Sequence, residues 1–206
     1  MLILIGMKLP STEEAYKILE EAEKINPGSW IDHSRHVGEA AEIIASFIPE
    51  LDKDTAKVLG LLHDIGRRSG HFGWRHTLDG YKFLLEKNYY EAAQICLTHS
   101  FPTKEFDVEC HDCNFSAEEV EFVRNFLNQT TYNDYDKLIQ LCDGLANDSG
   151  FCLMEKRLVS VSLRHGFNAL TLQNWQARFD IKKYFEEKIG QSIYELLPGV
   201  KENTFK

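Results

Sequence analysis

The fold class predicted by this sequence is an all-α, single-domain helical bundle, and three observations predict it. Apolar residues recur at helical spacing between clear start and stop signals. No convincing pair of alternating, strand-like runs is present. One segment, 55–65, is apolar almost all round, as a helix at the centre of a domain is. A chain of 206 residues with 43% hydrophobic and 27% charged residues has an ordinary globular composition and can bury a sizeable core without staples.

The elements follow in order. Met1 to Gly6 is apolar but short, without the basic flank or length of a signal peptide, and reads as an arm or helix packed on the domain. Ser11-Thr-Glu-Glu14 predicts a capping box, with Glu14 reaching back to the Ser11 backbone. The helix it opens carries Ala15, Ile18, Leu19 and Ala22 and ends at Asn26-Pro27-Gly28. A second helix runs from Trp30 to about Phe47 with His33, Val37, Ala40, Ala41 and Ile44 on one face. Asp52 or Asp54 caps the apolar third helix, which Gly66 stops. Arg67 to Arg75, with three glycines, reads as a loop over its end. Further helices are expected at about 77–87, 90–98, 117–128, 135–147, 153–165 and 175–189, with an irregular acidic stretch from Phe101 to Phe115. The domain division expected is an arm and helix over 1–29, a central helical domain over 30–170 and a helical extension over 171–206.

Composition narrows the function. The formal charge of −9, from 32 acidic and 23 basic residues with no long basic run, argues against binding long nucleic acids, which needs clustered cations. A small phosphorylated partner stays open, because a few local cations or a metal outweigh the global sign. No stretch reaches transmembrane length. Five cysteines, an odd number, read as reduced thiols in a cytoplasm. A homodimer is compatible with the chain.

The chemistry-bearing residues are His33, the pair His63-Asp64, His76, His99 and Asp143. Imidazole and carboxylate together suit divalent ions: iron, manganese, cobalt, nickel, zinc or magnesium (Fe, Mn, Co, Ni, Zn or Mg). His63 and Asp64 end the most apolar helix, where an unpartnered carboxylate is costly. A metal resolves that conflict; exposure at a fraying helix end also would. Asp143 interrupts the apolar run Leu138 to Ala146, a position typical of a functional or capping acid.

These residues resemble a known family. His33-Ser-Arg-His-Val37 resembles the opening H-S/T-x-x-V element of HD-domain proteins. Leu61-Leu-His-Asp-Ile-Gly-Arg67 matches the H-D-I-G-K/R element of the HDIG subset, and Ile139-Gln-Leu-Cys-Asp143 resembles the aspartate that closes the site. The resemblance covers roughly residues 30–165. It implies a helical bundle of the HD-domain type around a metal held by His33, His63, Asp64 and Asp143, and phosphohydrolase activity on nucleotides, cyclic dinucleotides or other phosphate esters. His76-Thr-Leu-Asp-Gly80 and Leu97-Thr-His99 resemble the later elements of the two-metal subset, in which Asp64 would bridge and His76 and His99 would serve a second ion. Ser100 in place of a second histidine, and the lack of Gly-Tyr-Pro after Asp79, depart from the HD-GYP pattern and argue against cyclic-di-GMP. A di-iron oxygenase of the myo-inositol oxygenase type uses the same ligand set, and a non-catalytic regulatory bundle is the third reading.

Asp64 and Arg67 are the candidate catalytic residues, and Arg67, Arg68, His71 and Arg75 the candidate substrate contacts, since guanidinium forks suit phosphate. The general acid or base is unassigned by sequence; His71 is one candidate. His36 shares the His33 face and reads more often as packed than as a ligand. Trp74 is either a base-stacking or a packed aromatic. Cys110-His-Asp-Cys113 lacks a second pair to complete a zinc tetrahedron and reads as surface thiols. Glu155-Lys-Arg157 reads as a solvated helix face or an internal ion pair.

Overall fold

The computed structural model describes residues 8–109 and 113–206. The Met1 to Gly6 arm and the Cys110 and His111 side of the Cys-x-x-Cys motif lie outside the described residues. The bundle is all-α, with α1 at Thr12–Ile25, α2 at Trp30–Ala45, α3 at Lys53–Leu62, α4 at Arg75–Glu86, α5 at Tyr90–Thr98, α6 at Ala117–Gln129 and α7 at Asp134–Asp143. A 3-10 turn, Ile65–Ser69, links α3 to α4. After α7 come α8 at Met154–His165, α9 at Thr171–Ile189, α10 at Ile193–Leu196 and α11 at Val200–Thr204. Among the described residues, no helix is long and apolar enough to cross a membrane.

Helix α3 is the hub. Ala56, Val58, Leu59, Leu61 and Leu62 are all buried, on every side of the helix, so neighbours must surround it. Its Asp52 cap accepts from the Thr55 backbone at 2.7 Å, so Asp52 rather than Asp54 starts it. Helix α2 crosses α3 so closely that a Cβ on Gly60 would lie 2.6 Å from Gly38 Cα. Two hydrogen side chains at the crossing let the backbones meet, and that contact brings His33 beside His63.

The α-helix ends at Leu62, earlier than expected, and Gly66 has a different task from stopping it. A Cβ there would sit 1.9 Å from the His76 carbonyl oxygen, so glycine permits the 3-10 turn to press against the start of α4. Arg67 to Ser69 belong to that turn, and only Gly70 to Trp74 remain as loop. Glu14 does not complete a capping box. The Ser11 hydroxyl accepts from the Glu14 backbone, but the Glu14 carboxylate accepts from the Tyr89 hydroxyl at 2.7 Å, a tertiary partner closer to hand.

A strand pair is present after all: Ala146–Asn147 (β1) and Gly150–Phe151 (β2) pair antiparallel just after α7. At two residues each, they are too short to show alternation. The Phe101 to Phe115 stretch is irregular but anchored. Phe101 and Phe106 pack with Leu78, Leu97, Val123 and Leu127 in a second apolar cluster under α6, and the Trp74 ring meets both phenylalanines edge-on. Trp74 is thus a packed aromatic. Phe185, Ile193, Leu197 and Val200, from the segment after 170, share the main core with Leu61 and Leu62.

Candidate metal centre

The end of α3 places His63 and Asp64 at the middle of the bundle. His63 is fully buried and Asp64 nearly so. Asp64 Oδ1 lies 3.0 Å from His76 Nε2 on α4 and 3.5 Å from His99 Nε2 at the end of α5. The two imidazole nitrogens are 3.4 Å apart. On the other side, His33 Nε2 from α2 donates to the Asp143 carboxylate at 3.1 Å, and the His33 ring stands 5.3 Å from the His63 ring. The chain therefore brings all six expected ligands into one buried region.

Backbone carbonyls set the orientation of three rings. His63 Nδ1 donates to Gly60 at 2.7 Å, His76 Nδ1 to Gly73 at 2.7 Å, and His99 Nδ1 to Ile95 at 3.1 Å. A carbonyl can only accept, so each Nδ1 carries the hydrogen and each Nε2 presents a lone pair. Burial pushes the His63 imidazole down to about 3, and burial followed by the Arg67 charge pushes His76 down as well, so both rings are neutral at neutral pH. Burial alone would raise the Asp64 carboxyl, but the Arg67 guanidinium, with its Nε 2.5 Å away, holds it well below the usual range.

Acceptors therefore face acceptors. Asp64 Oδ1, His76 Nε2 and His99 Nε2 converge with no hydrogen between them, save that the Ser100 hydroxyl lies 2.9 Å from His99 Nε2. Asp64 Oδ1, His63 Nε2 and His33 Nδ1 are buried without a hydrogen-bond partner. Unpaired buried acceptors are costly, and a cation at their centre removes the cost. Their separations fit that: ligand atoms about 2.1 Å from a shared ion stand about 3.0–3.4 Å apart. In two groups, His33-His63-Asp64 and Asp64-His76-His99, the ligand atoms lie within 4.8 Å of one another, and Asp64 belongs to both.

The candidate substrate contacts fare differently. Arg67 lies on the site beside Asp64. Arg68 instead stacks on Phe83, its guanidinium carbon 4.2 Å from the ring centroid. Arg75 pairs with Asp79 at 3.2 Å and with Glu119, and half-exposed His71 bonds Asp79 at 2.7 Å. His36 donates to the Asn147 carbonyl at 2.9 Å and edges Phe151, which makes it a packed residue bracing the β1–β2 hairpin.

Sequence reading missed Arg178 and undervalued Arg157. Arg178 of α9 lies 3.6 Å from Asp143 Oδ2 and donates to the carbonyls of Gln140 and His99. Arg157 of α8 lies 3.9 Å from Asp143 Oδ1. Neither has a local signature, since a basic residue on an amphipathic helix ordinarily faces water. Asp136 was missed too: it accepts from Gln94, Thr98 and the Asn133 backbone, and so locks α7 onto α5.

An all-α bundle with two histidine–aspartate clusters sharing one buried carboxylate defines a class: helical proteins built around a candidate metal centre. The family model described as HD domain matches residues 30–148, more than half of the chain and all six residues of the two sides. The chain belongs to the HD domain family. No curated protein and no solved structure matches it.

Proposed function

We propose that this protein is a metal-dependent phosphohydrolase that cleaves a small phosphorylated substrate, a nucleotide or another phosphate ester, with water as the nucleophile. The observation that supports it best is the convergence of Asp64 Oδ1, His76 Nε2 and His99 Nε2, acceptors only, at 3.0–3.5 Å in a buried site. His33, His63, Asp64 and Asp143 would hold one divalent ion, and Asp64, His76 and His99 a second. When bound, such ions lower the pKa of water and polarise a phosphoryl oxygen. The chain's own residues do the rest. The carbonyls of Gly60, Gly73 and Ile95 aim the rings, Arg67 keeps Asp64 ionised and offers a guanidinium to phosphate, and the surrounding helices exclude bulk water.

Elemental analysis of the purified protein, beside a phosphate-ester panel with each divalent ion added back, tests the reading. Asp64→Ala should lose bound metal and at least ~100-fold of the activity while keeping its helical circular dichroism; full turnover by that variant would sink the mechanism. The shared Asp64 also suits a di-iron oxygenase, and anaerobic assay separates the two: the hydrolase turns over without oxygen.

A further inference from the structure

Asp143 is flanked by Arg178 at 3.6 Å and Arg157 at 3.9 Å, both beyond hydrogen-bond length, while Arg67 flanks Asp64. Arg157 and Arg178 are largely buried, with side chains 16% and 11% exposed. Burying two guanidiniums against one carboxylate over-compensates it. Three cations from three separate elements thus face two site carboxylates, in a chain whose net charge is −9. Arg164, also on α8, adds to the crowding: burial first, and then the Arg157 and Arg67 charges, push its guanidinium down. Like charges gathered in a poorly solvated rim repel one another unless an anion offsets them. Arg157 and Arg178 lie outside the family-matched residues 30–148, whereas Arg67 lies within them.

We propose that Arg157, Arg178 and Arg67 form an anion-binding rim that selects substrates carrying two or more linked phosphate groups, such as a nucleoside diphosphate, over simple monoesters. The inference rests on the phosphohydrolase reading and narrows it. A monoester phosphate presents a single group and can meet one flank of the site. Linked phosphates can meet Arg67 beside Asp64 and the Arg157–Arg178 pair beside Asp143 at once, and guanidinium forks bind such oxygens bidentately.

Titration calorimetry of the protein as purified, with its own metal content, tests this with orthophosphate and with methylenediphosphonate, whose P–C–P link resists hydrolysis. The diphosphonate should bind at least about tenfold tighter, and Arg157→Gln should remove about tenfold of that affinity while moving orthophosphate far less. Arg157→Lys, which keeps the charge and loses the fork, should fall between. Arg178→Gln should act in the same direction; should it fail to fold, because Arg178 also braces Gln140 and His99, the two Arg157 variants decide. Arg35→Gln, in an exposed pair with Asp32 and Glu23, should change neither affinity. Equal affinity for the two anions, or an Arg157→Gln protein that keeps its preference, overturns the proposal. Selective diphosphonate binding by a protein that hydrolyses no ester would leave the rim standing and remove the hydrolytic reading. Monoester turnover without any diphosphate preference would do the reverse.

Discussion

Single residues in this protein are set by which atom their neighbours leave unsatisfied. His63, His76 and His99 have their Nδ1 hydrogens occupied by the backbone, so what remains for chemistry is a lone pair apiece. Three of the six candidate ligands, His63, Asp64 and Asp143, stand out in the sequence because His-Asp at the end of an apolar helix, and an acid inside an apolar run, are expensive unless used. The candidate roles of His33, His76 and His99 came from the resemblance to HD-domain proteins. Arg68 and Arg75 show the converse. Their sequence proximity to His63-Asp64 carried no information about direction, and they turn to Phe83 and to Asp79 and Glu119. Glu119 supplies a pH test. Burial raises its carboxyl, but the Ser116 backbone N–H, Arg75 and Lys82 outweigh burial and bring it to about 2 from an ordinary value near 4.5. A depressed carboxyl contributes stability that is present above the unfolded value and is lost as pH falls from there toward the folded one. Urea midpoints should therefore decline less steeply between pH 5 and about 2.5 in Glu119→Gln than in the parent; parallel curves would show that the pairs contribute nothing.

Elements are placed by close approach. Helix α2 reaches α3 only because Gly38 and Gly60 leave room, and the 3-10 turn reaches α4 only because Gly66 does. Gly60→Ala would force the two backbones apart. The expected cost is a few kcal/mol, about 1–3 as for other overpacked cores, with a parallel loss of bound metal as His33 moves away from His63. Thermal unfolding and metal content, measured together, check it; an unshifted midpoint with full metal would show that the crossing has slack. Existence and order of the helices from α1 to α9 were readable from periodicity and caps. The end of α3 was not, because Leu62 and Ile65 are equally apolar and the shift from α to 3-10 geometry is decided by packing on α4. The two-residue strands and short α10 and α11 hold too few residues to show any period.

Across the whole molecule, the segment after residue 170 is part of one core rather than an appendage to it. Phe185 is fully buried among residues of the main cluster, and Arg178 reaches from α9 to Asp143. Phe185→Ala, some distance along the chain from every candidate ligand, should cost about 3–5 kcal/mol in chemical denaturation; a loss below 1 would mean that α9 packs as a dispensable cover. The amino-acid sequence by itself determined the helical class, through helical period and caps, and marked His63, Asp64 and Asp143 as costly polar residues in apolar runs. The motif resemblance supplied the family and the remaining candidate ligands, because all of these are local features of a chain. Tertiary structure alone decided which ring nitrogen faces the site, which arginines surround it and how close the backbones come. Those depend on residues as far apart as Asp64 and His99, or Asp143 and Arg178, meeting across helices, and no short-range pattern records a contact between side chains that packing alone brings together.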